Sequence, residues 1–537
     1  TIHAGAWSTR NGKGAIFSYG NYFGKKQFLF PSLSPVGLLV TPEFVGWRRI
    51  NKGSSICTGE ISSNRIIENA TFEPTVKDGT LEIGTNKLTF TSTSSEVLQK
   101  LRLEHGGLSP FGDRHAAAWG DLDNDGDVDL YISNGGGKGM GNVLGGELLE
   151  NHEGLDFINE GIRKGVNDPT GRGRGVSLVD YDNDGFLDIF KANKGRPCRL
   201  FRNKNGSFDE VAEDLGIAGP FGSYPAISAT WADVDSDGDM DLLLTSNPVR
   251  LFKNISGIYF QDTTKKAGLE KLYRVHSANW GDYDNDGDLD LYISKAHGIT
   301  QLRSSTNALF RNNGDGVFKE VTGESRVGSS GNSRDSAWLD YDNDGDLDLY
   351  VVNTTSILSF VPWFARPLLR PWLKLLEWNL FDHSNVLYTN LGDGTFRDVT
   401  HQTAVEGRGA NSGVATGDYN RDGFVDLFLS SGYYPLETGK VILYKNLSNH
   451  NHWIRLHLIG QKSNRSAVGA KVYLWTGSQV QFREFNGGIH GFSQDEPIIH
   501  FGLGKHETVD RLKVLWPSGK ETMLEHLEVD QVLTIVE

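Results

Sequence analysis

Two cysteines in 537 residues are too few for a fold held by a disulfide framework. Cys57 and Cys198 either pair with each other or stand apart as buried thiols. Nor is there an apolar run able to cross a bilayer. The most hydrophobic stretch, residues 356–381, is broken by Pro362, Pro367 and Pro371 and charged by Arg366, Arg370, Lys374 and Glu377. It reads as an insertion packed over the fold or as an exposed contact surface for a partner, a lipid surface or a sister subunit, with a short amphipathic helix from Pro371 to Phe381. Basic charge is also scarce. Lys and Arg number 53 against 68 Asp and Glu, a formal charge of −15, which argues against wrapping nucleic acid. Catalytic signatures are missing too: there is no G-x-S-x-G elbow, H-E-x-x-H helix, Walker loop or dinucleotide fingerprint. His115, His276, His383, His401 and His490 are scattered, and a lone histidine is more often a packed residue than a base. The chain is read as a non-enzyme.

Glycine is plentiful at 65 residues, well above the usual share of about 7%, and it falls in short clusters that mark tight turns. The length suits two to four domains. An internal repeat organises them. A nine-residue pattern, Asp-x-Asp/Asn-x-Asp-Gly-x-x-Asp, occurs six times, beginning at Asp121, Asp180, Asp233, Asp282, Asp340 and Asp418, at spacings of 59, 53, 49, 58 and 78 residues. These loops hold 27 aspartates, so much of the acidity reads as capacity for cations; six divalent ions would cancel most of the net charge.

Each loop suits a hard cation. Oxygen ligands at alternate positions converge when the backbone curls, a glycine at position 6 permits the turn, and position 7 offers its carbonyl. The expected ligands are Asp121, Asp123, Asp125, Asp127 and Asp129; Asp180, Asp182, Asp184, Phe186 and Asp188; Asp233, Asp235, Asp237, Asp239 and Asp241. The last three loops supply Asp282, Asp284, Asp286, Asp288 and Asp290; Asp340, Asp342, Asp344, Asp346 and Asp348; Asp418, Asn420, Asp422, Phe424 and Asp426. The cofactor is Ca2+, up to six ions in a structural role, because near-identical repeated sites serve folding better than chemistry. An EF-hand needs glutamate at position 12; here that position is Ile132, Lys191, Leu244, Ile293, Val351 and Leu429. In the sixth loop Asn420 replaces an aspartate and Arg421 adds a positive charge, so that loop should bind most weakly.

After each loop comes a short apolar segment rich in β-formers, such as LYISN or LYVVN, and then in most repeats a hairpin text such as LFRNNGDGVFKEV from Leu309. Each repeat thus supplies about four strands, one blade of a propeller. Six loops require at least six blades, and the β text before His115 points to a seventh. The repeats resemble the FG-GAP/VCBS repeats of integrin-like propellers. From Asn449 onward, NHWIRLHLIGQKSNRSAVGAKVYLW and GGIHGFSQDEPIIHFGLGKHETVDRLKVLWPSGK resemble the ASPIC/UnbV domain that ends the cartilage acidic protein family. The resemblance implies a calcium-binding extracellular protein with matrix, adhesive or signalling associations and no shared catalytic centre.

The expected architecture is all-β: an N-terminal β-rich region over 1–105, a propeller over 106–448 and a β-sandwich-like domain over 449–537. The first region, which resembles nothing named, either closes the propeller or exchanges a strand with a neighbouring subunit. A start at Thr1 suits a processed, secreted chain, and Asn69, Asn205, Asn254, Asn353, Asn446 and Asn464 head N-x-Ser/Thr glycosylation signals. The leading function is a secreted calcium-binding structural or adhesive glycoprotein that self-assembles or binds a protein or glycan partner. A lectin-like receptor propeller and a hydrolase with its site in the propeller channel are the alternatives. Trp119, Trp231, Trp280 and Trp338 recur one or two residues before their loops, which favours packing over a sugar platform.

Overall fold

The computed structural model describes side chains for residues 115–135, 145–152, 157–219, 221, 227–296, 306–354, 384–407, 411–430, 441–491 and 493–537, and for the first 114 residues only the backbone of the strands. The hydrophobic segment 356–381, Cys57 and Asn69 lie outside the described residues. The chain divides into two units: Thr1–Phe111 with Glu153–Ile158 and Gly432–Thr438, and Gly112–His152 with Asn159–Ser431 and Gly439–Glu537. The first unit is β-rich. Ile2–Ser8 pairs antiparallel with Gly14–Gly20, Val36–Thr41 with Phe44–Arg49, and Thr80–Ile83 with both Thr75–Lys77 and Asn86–Thr91.

The second unit contains six successive antiparallel sheets, each begun by a strand that runs into one aspartate loop. These first strands are Arg114–Gly120, Gly173–Val179, Ala229–Ala232, Val275–Gly281, Ser333–Leu339 and Asn411–Gly417. The loop then returns the chain into a second strand, as in Trp119 opposite Leu130 or Trp338 opposite Leu349. Sheets two to five have four strands each and the sixth has three. Each first strand lies beside that of the next sheet, so the first strands line an axis and the sheets radiate from it, as a propeller requires. Among the described residues of this unit no seventh sheet of this repeat, with a first strand leading into an aspartate loop, is present.

Burial on both faces explains why the second strands read as nearly continuous apolar runs rather than alternating ones: Asp188–Asn193 is buried at every position. Between sheets two and three, Phe190, Leu200, Trp231, Leu242 and Phe252 form one cluster, with Phe190 edge-on to Trp231 at 5.6 Å. Trp231 and Trp280 are buried and Trp338 packs against Tyr283 and Phe396, whereas Trp119 is 45% exposed. Cys198 is a buried free thiol whose pKa burial pushes up to about 11.

A polar clasp repeats beside this packing. In sheets two to five the third strand carries an asparagine, and in sheet six one follows it two residues on; the Nδ2 donates to a loop carbonyl of an earlier sheet: Asn203 to Leu122, Asn254 to Tyr181, Asn312 to Val234, Asn390 to Tyr283 and Asn446 to Tyr341, at 2.6–2.9 Å. The same nitrogens also donate to their own loops, at Leu187, Met240, Leu289, Leu347 and Val425. Two of the residues expected to carry glycans, Asn254 and Asn446, are therefore inter-sheet clasps. Asn353 and Asn464 are likewise buried and donate Nδ2 to Ser384 O and Val468 O. A glycan at Asn254, Asn353, Asn446 or Asn464 would break these bonds, so the fold corrects the expectation there; Asn205 is exposed.

The C-terminal segment belongs to the same unit as the sheets. His452–Ile459 pairs antiparallel with Ile499–Gly504 and parallel with Gln531–Val536. A second sheet orders Gln479–Glu484, Lys471–Thr476, Thr508–Leu515 and Glu521–Glu528. Ile454, Leu456, Leu474, Phe501, Leu512 and Trp516 fill the space between the two, and the cluster continues into Ala118, Leu178 and Ile189 of the first two propeller sheets. From this sandwich a hairpin, Ile489–His490 with Ser493–Gln494, reaches the axis and touches the first strands of sheets one, three, four and six.

Gln494 pairs with the Trp119 backbone through both amide atoms, at 2.8 and 3.0 Å, while Glu496 N–H donates to Thr416 O and Thr416 N–H to Asp495. The hairpin thereby joins sheet one to sheet six. His490 sits between Asp335 at 3.3 Å and Asp495 at 3.2 Å. Burial opposes its charge, but the two carboxylates outweigh burial and hold its pKa well above the ordinary value.

Substituting Asn254→Ala should lower the unfolding free energy by about 2–4 kcal/mol, because it strands buried carbonyls in two sheets. Denaturant unfolding checks this, and a loss under about 0.5 kcal/mol would show the clasp to be incidental.

Candidate metal centres

Each loop closes on its own first aspartate. Gly126, Gly185, Gly238, Gly287, Gly345 and Gly423 donate their N–H to Oδ2 of Asp121, Asp180, Asp233, Asp282, Asp340 and Asp418, at 2.7–3.1 Å. All six glycines have φ between +85° and +105°, where a Cβ is strained. The ninth residue anchors the other end. Asp348, for example, accepts Tyr341 N–H at 3.1 Å on one oxygen and Asn390 N–H at 2.8 Å on the other, and Asp188 and Asp241 do the same with their counterparts. Position 9 therefore ties the loop to its third strand as well as facing the centre.

Carboxylates at positions 1, 3 and 9 converge in loops one to four, and at positions 1, 3 and 5 in loop five, with oxygens within 4.8 Å of one another. Several carboxylate oxygens of the six loops are buried without a hydrogen bond: Oδ1 of Asp121, Asp182, Asp235, Asp284 and Asp342 in loops one to five, and Oδ2 of Asp426 in loop six. Buried acceptors are normally satisfied, and an all-oxygen set of carboxylates is what a hard divalent cation takes. The donors fit such an ion. Asp125, Asp127, Asp184, Asp237, Asp239, Asp286, Asp288 and Asp346 are exposed or half-buried at the outer part of their loops, and the amides of position 7, including Phe186 and Phe424, bond back to position 5. In the sixth loop Asn420 donates to Asp422 at 2.7 Å, so an amide spends itself on a ligand carboxylate.

The electrostatics point the same way. Burial, with neighbouring carboxylates adding to it, raises Asp129, Asp180 and Asp282 to about 7, Asp241 and Asp340 to about 8 and Asp290 to about 9, and lifts Asp188 and Asp348 well above the ordinary range. These groups cannot all be ionised together without a counter-charge.

The C-terminal domain contacts five of the six first-position aspartates and brings the Arg483 charge to bear on the sixth, Asp282, a feature that sequence reading did not find. Lys471 Nζ lies 2.6 Å from Asp233, Arg455 3.1 Å from Asp418, Arg465 3.5 Å from Asp121 and Asn464 Nδ2 3.4 Å from Asp180. Gly502 N–H donates to Asp340 at 3.1 Å, and the Arg483 charge favours ionised Asp282 and Asp340. Gly502 has to be glycine, since a Cβ there would lie 2.1 Å from Asp340 Oδ2. The only signal in the sequence was a run of Lys, Arg and Asn within an otherwise acidic protein. The histidines do not converge: His276 accepts from Arg334 and donates to its carbonyl, held neutral by burial and the Arg334 charge, and His401 faces Glu406 far along the chain.

Comparison with known proteins agrees with this construction. Residues 180–244, 299–351 and 378–429 match the FG-GAP-like repeat, and residues 460–537 match the ASPIC and UnbV family. The chain is thus an all-β repeat protein in which FG-GAP-like sheets run into an ASPIC and UnbV domain. Its similarity extends to cartilage acidic protein 1: it is 25% identical to the protein of Xenopus tropicalis over 433 residues, 78% of this chain and 54% of that one, and 25% identical to the human protein, with 78% and 53% covered. The chain spans about half the length of these relatives. Among solved structures, the V. cholerae biofilm matrix protein Bap1 aligns over 78% of this chain and 60% of its own at 13% identity and a TM-score of 0.34, a likeness too slight to bear on function. Among the described residues no helix is long and apolar enough to cross a membrane.

Raised carboxylate pKa values have a signed consequence. Between the unfolded value of about 4 and the folded values of about 7 to 9, the cation-free folded state holds more protons than the unfolded chain, so its stability falls as pH rises. In chelator, the melting temperature should drop steadily from pH 5 to pH 8, and a saturating divalent cation should restore most of the loss at pH 8. Melting that is flat across this range in chelator would contradict the loop electrostatics.

Proposed function

We propose that this chain is a secreted calcium-binding structural or adhesive glycoprotein, in which Ca2+ in the six loops stiffens the propeller and fixes the ASPIC and UnbV domain against its loop face. One observation carries the reading: buried, unsatisfied carboxylate oxygens recur in successive loops whose first aspartate is also held by the C-terminal domain. Calcium suits the all-oxygen, loop-borne donor set better than the softer transition metals, which favour nitrogen and sulfur. Similarity to cartilage acidic protein 1 supports an extracellular setting, and the exposed Asn205 is the described signal best placed for a glycan.

Binding rather than catalysis is favoured by the hairpin through Ile489–His490, which occupies the axis where a channel enzyme would hold its substrate. The partner is another protein, a glycan or a second copy of the chain, joined by the N-terminal β region or the hydrophobic segment 356–381.

Negative-stain imaging of the purified protein, in Ca2+ and again after chelation, tests the assembly. Ordered filaments or arrays that fray on chelation are expected. Compact monomers in both conditions would contradict self-assembly and shift the reading to a soluble propeller that binds a separate partner.

A further inference from the structure

The six loops differ in one place that the loop sequences do not show. On the third strand, or just past it in sheet six, the residue before the clasp asparagine faces the loop of its own sheet. In sheet two it is Arg202, whose Nη2 lies 2.6 Å from Asp182 and 3.6 Å from Asp184. In sheet three it is Lys253, whose Nζ contacts Asp235 and lies 2.8 Å from Asp237. Sheet four has Arg311, whose charge favours ionised Asp284, and sheet six has Lys445, 3.5 Å from Asp422. Three of these cations therefore contact position 3 or 5, and the Arg311 charge acts on position 3, among the carboxylates an incoming ion must take.

Sheets one and five break the pattern. Sheet five has Thr389, whose hydroxyl bonds Tyr341 at 2.8 Å and which puts no cation on Asp342 or Asp344. Sheet one has Glu150, which pairs with Lys164, so the one cation whose charge reaches Asp123 is already matched by a carboxylate and the third strand adds none of its own.

We infer that this third-strand residue sets the order in which the loops fill: Arg202, Lys253, Arg311 and Lys445 act as tethered counter-ions that hold loops two, three, four and six closed without metal and compete with Ca2+, so loops one and five fill first. The C-terminal domain does not produce the difference, because it brings positive charge to Asp121 of loop one and Asp340 of loop five as it does to Asp233, Asp282 and Asp418 of loops three, four and six. A like charge a few ångströms from a divalent ion, in a partly buried site, weakens binding by about tenfold or more, and a tethered ammonium is displaced only by giving up its own ion pairs. The consequence is a graded response: two ions at low free calcium and further ions only as calcium rises. The inference rests on the calcium reading above.

Native mass spectrometry of the full chain across a titration of free Ca2+ tests it, by counting bound ions for the wild type, Lys253→Met, Arg202→Met and Thr389→Lys. The wild type should take two ions at the lowest concentrations and the rest at least about tenfold higher. Each of the two methionine variants should gain one early ion, and Thr389→Lys should lose one; using two sheets means that a folding defect in one variant does not decide the matter. Ions that fill in a single step, unaltered by the variants, would overturn the inference while leaving the calcium reading intact. Failure to bind any ion at millimolar Ca2+ would overturn both.

Discussion

A carboxylate buried without a counter-charge is among the costlier groups a fold can contain, and this fold repeats one at the root of each sheet. The first aspartate of each loop spends one oxygen on the glycine N–H five residues on, and in loops one to five the ninth aspartate spends both on backbone amides. Those bonds fix the path from first to second strand, but they gather like charges in a small volume. The remaining structure follows from managing that charge: cations on four third strands, basic and amide groups from the C-terminal domain, and donor-free oxygens that suit a divalent ion.

The same constraint links pieces that sequence separates by hundreds of residues. Asp233 and Lys471, or Asp418 and Arg455, join the propeller to the ASPIC and UnbV domain through the loops, so the domain is fastened where the charge is. Its hairpin then completes the closure, with Gln494 and Glu496 serving as strand-like partners for sheets one and six. Stability of the two parts is consequently coupled: loosening a loop removes a contact of the C-terminal domain, and removing that domain leaves the first-position aspartates without their outer partners.

Much of this was legible in the sequence because it is periodic. Six copies of Asp-x-Asp/Asn-x-Asp-Gly-x-x-Asp, each followed by an apolar run, define a loop between two strands, and the glycine at position 6 announces a backbone turn that only the structure then shows at φ near +90°. Contacts between repeats were not legible, since they depend on which strands lie side by side. Asn254 and Asn446 look like glycosylation signals in the chain and are clasps in the fold; Asn203, Asn312 and Asn390 do the same work without the motif. Lys253 and Arg202 likewise read as ordinary polar positions on a half-exposed strand until the register places them over positions 3 and 5.

Hydrogen exchange, read peptide by peptide with Ca2+ and with chelator, tests most directly the claim that loop-bound cations hold the propeller and its C-terminal domain together. Calcium should slow exchange at the loop glycine amides, from Gly126 to Gly423, and also in the hairpin Ile489–Gln494, which belongs to no aspartate loop. Protection confined to the loops, with the hairpin unchanged, would contradict the coupling; protection equal in both conditions would remove the cations from the account altogether.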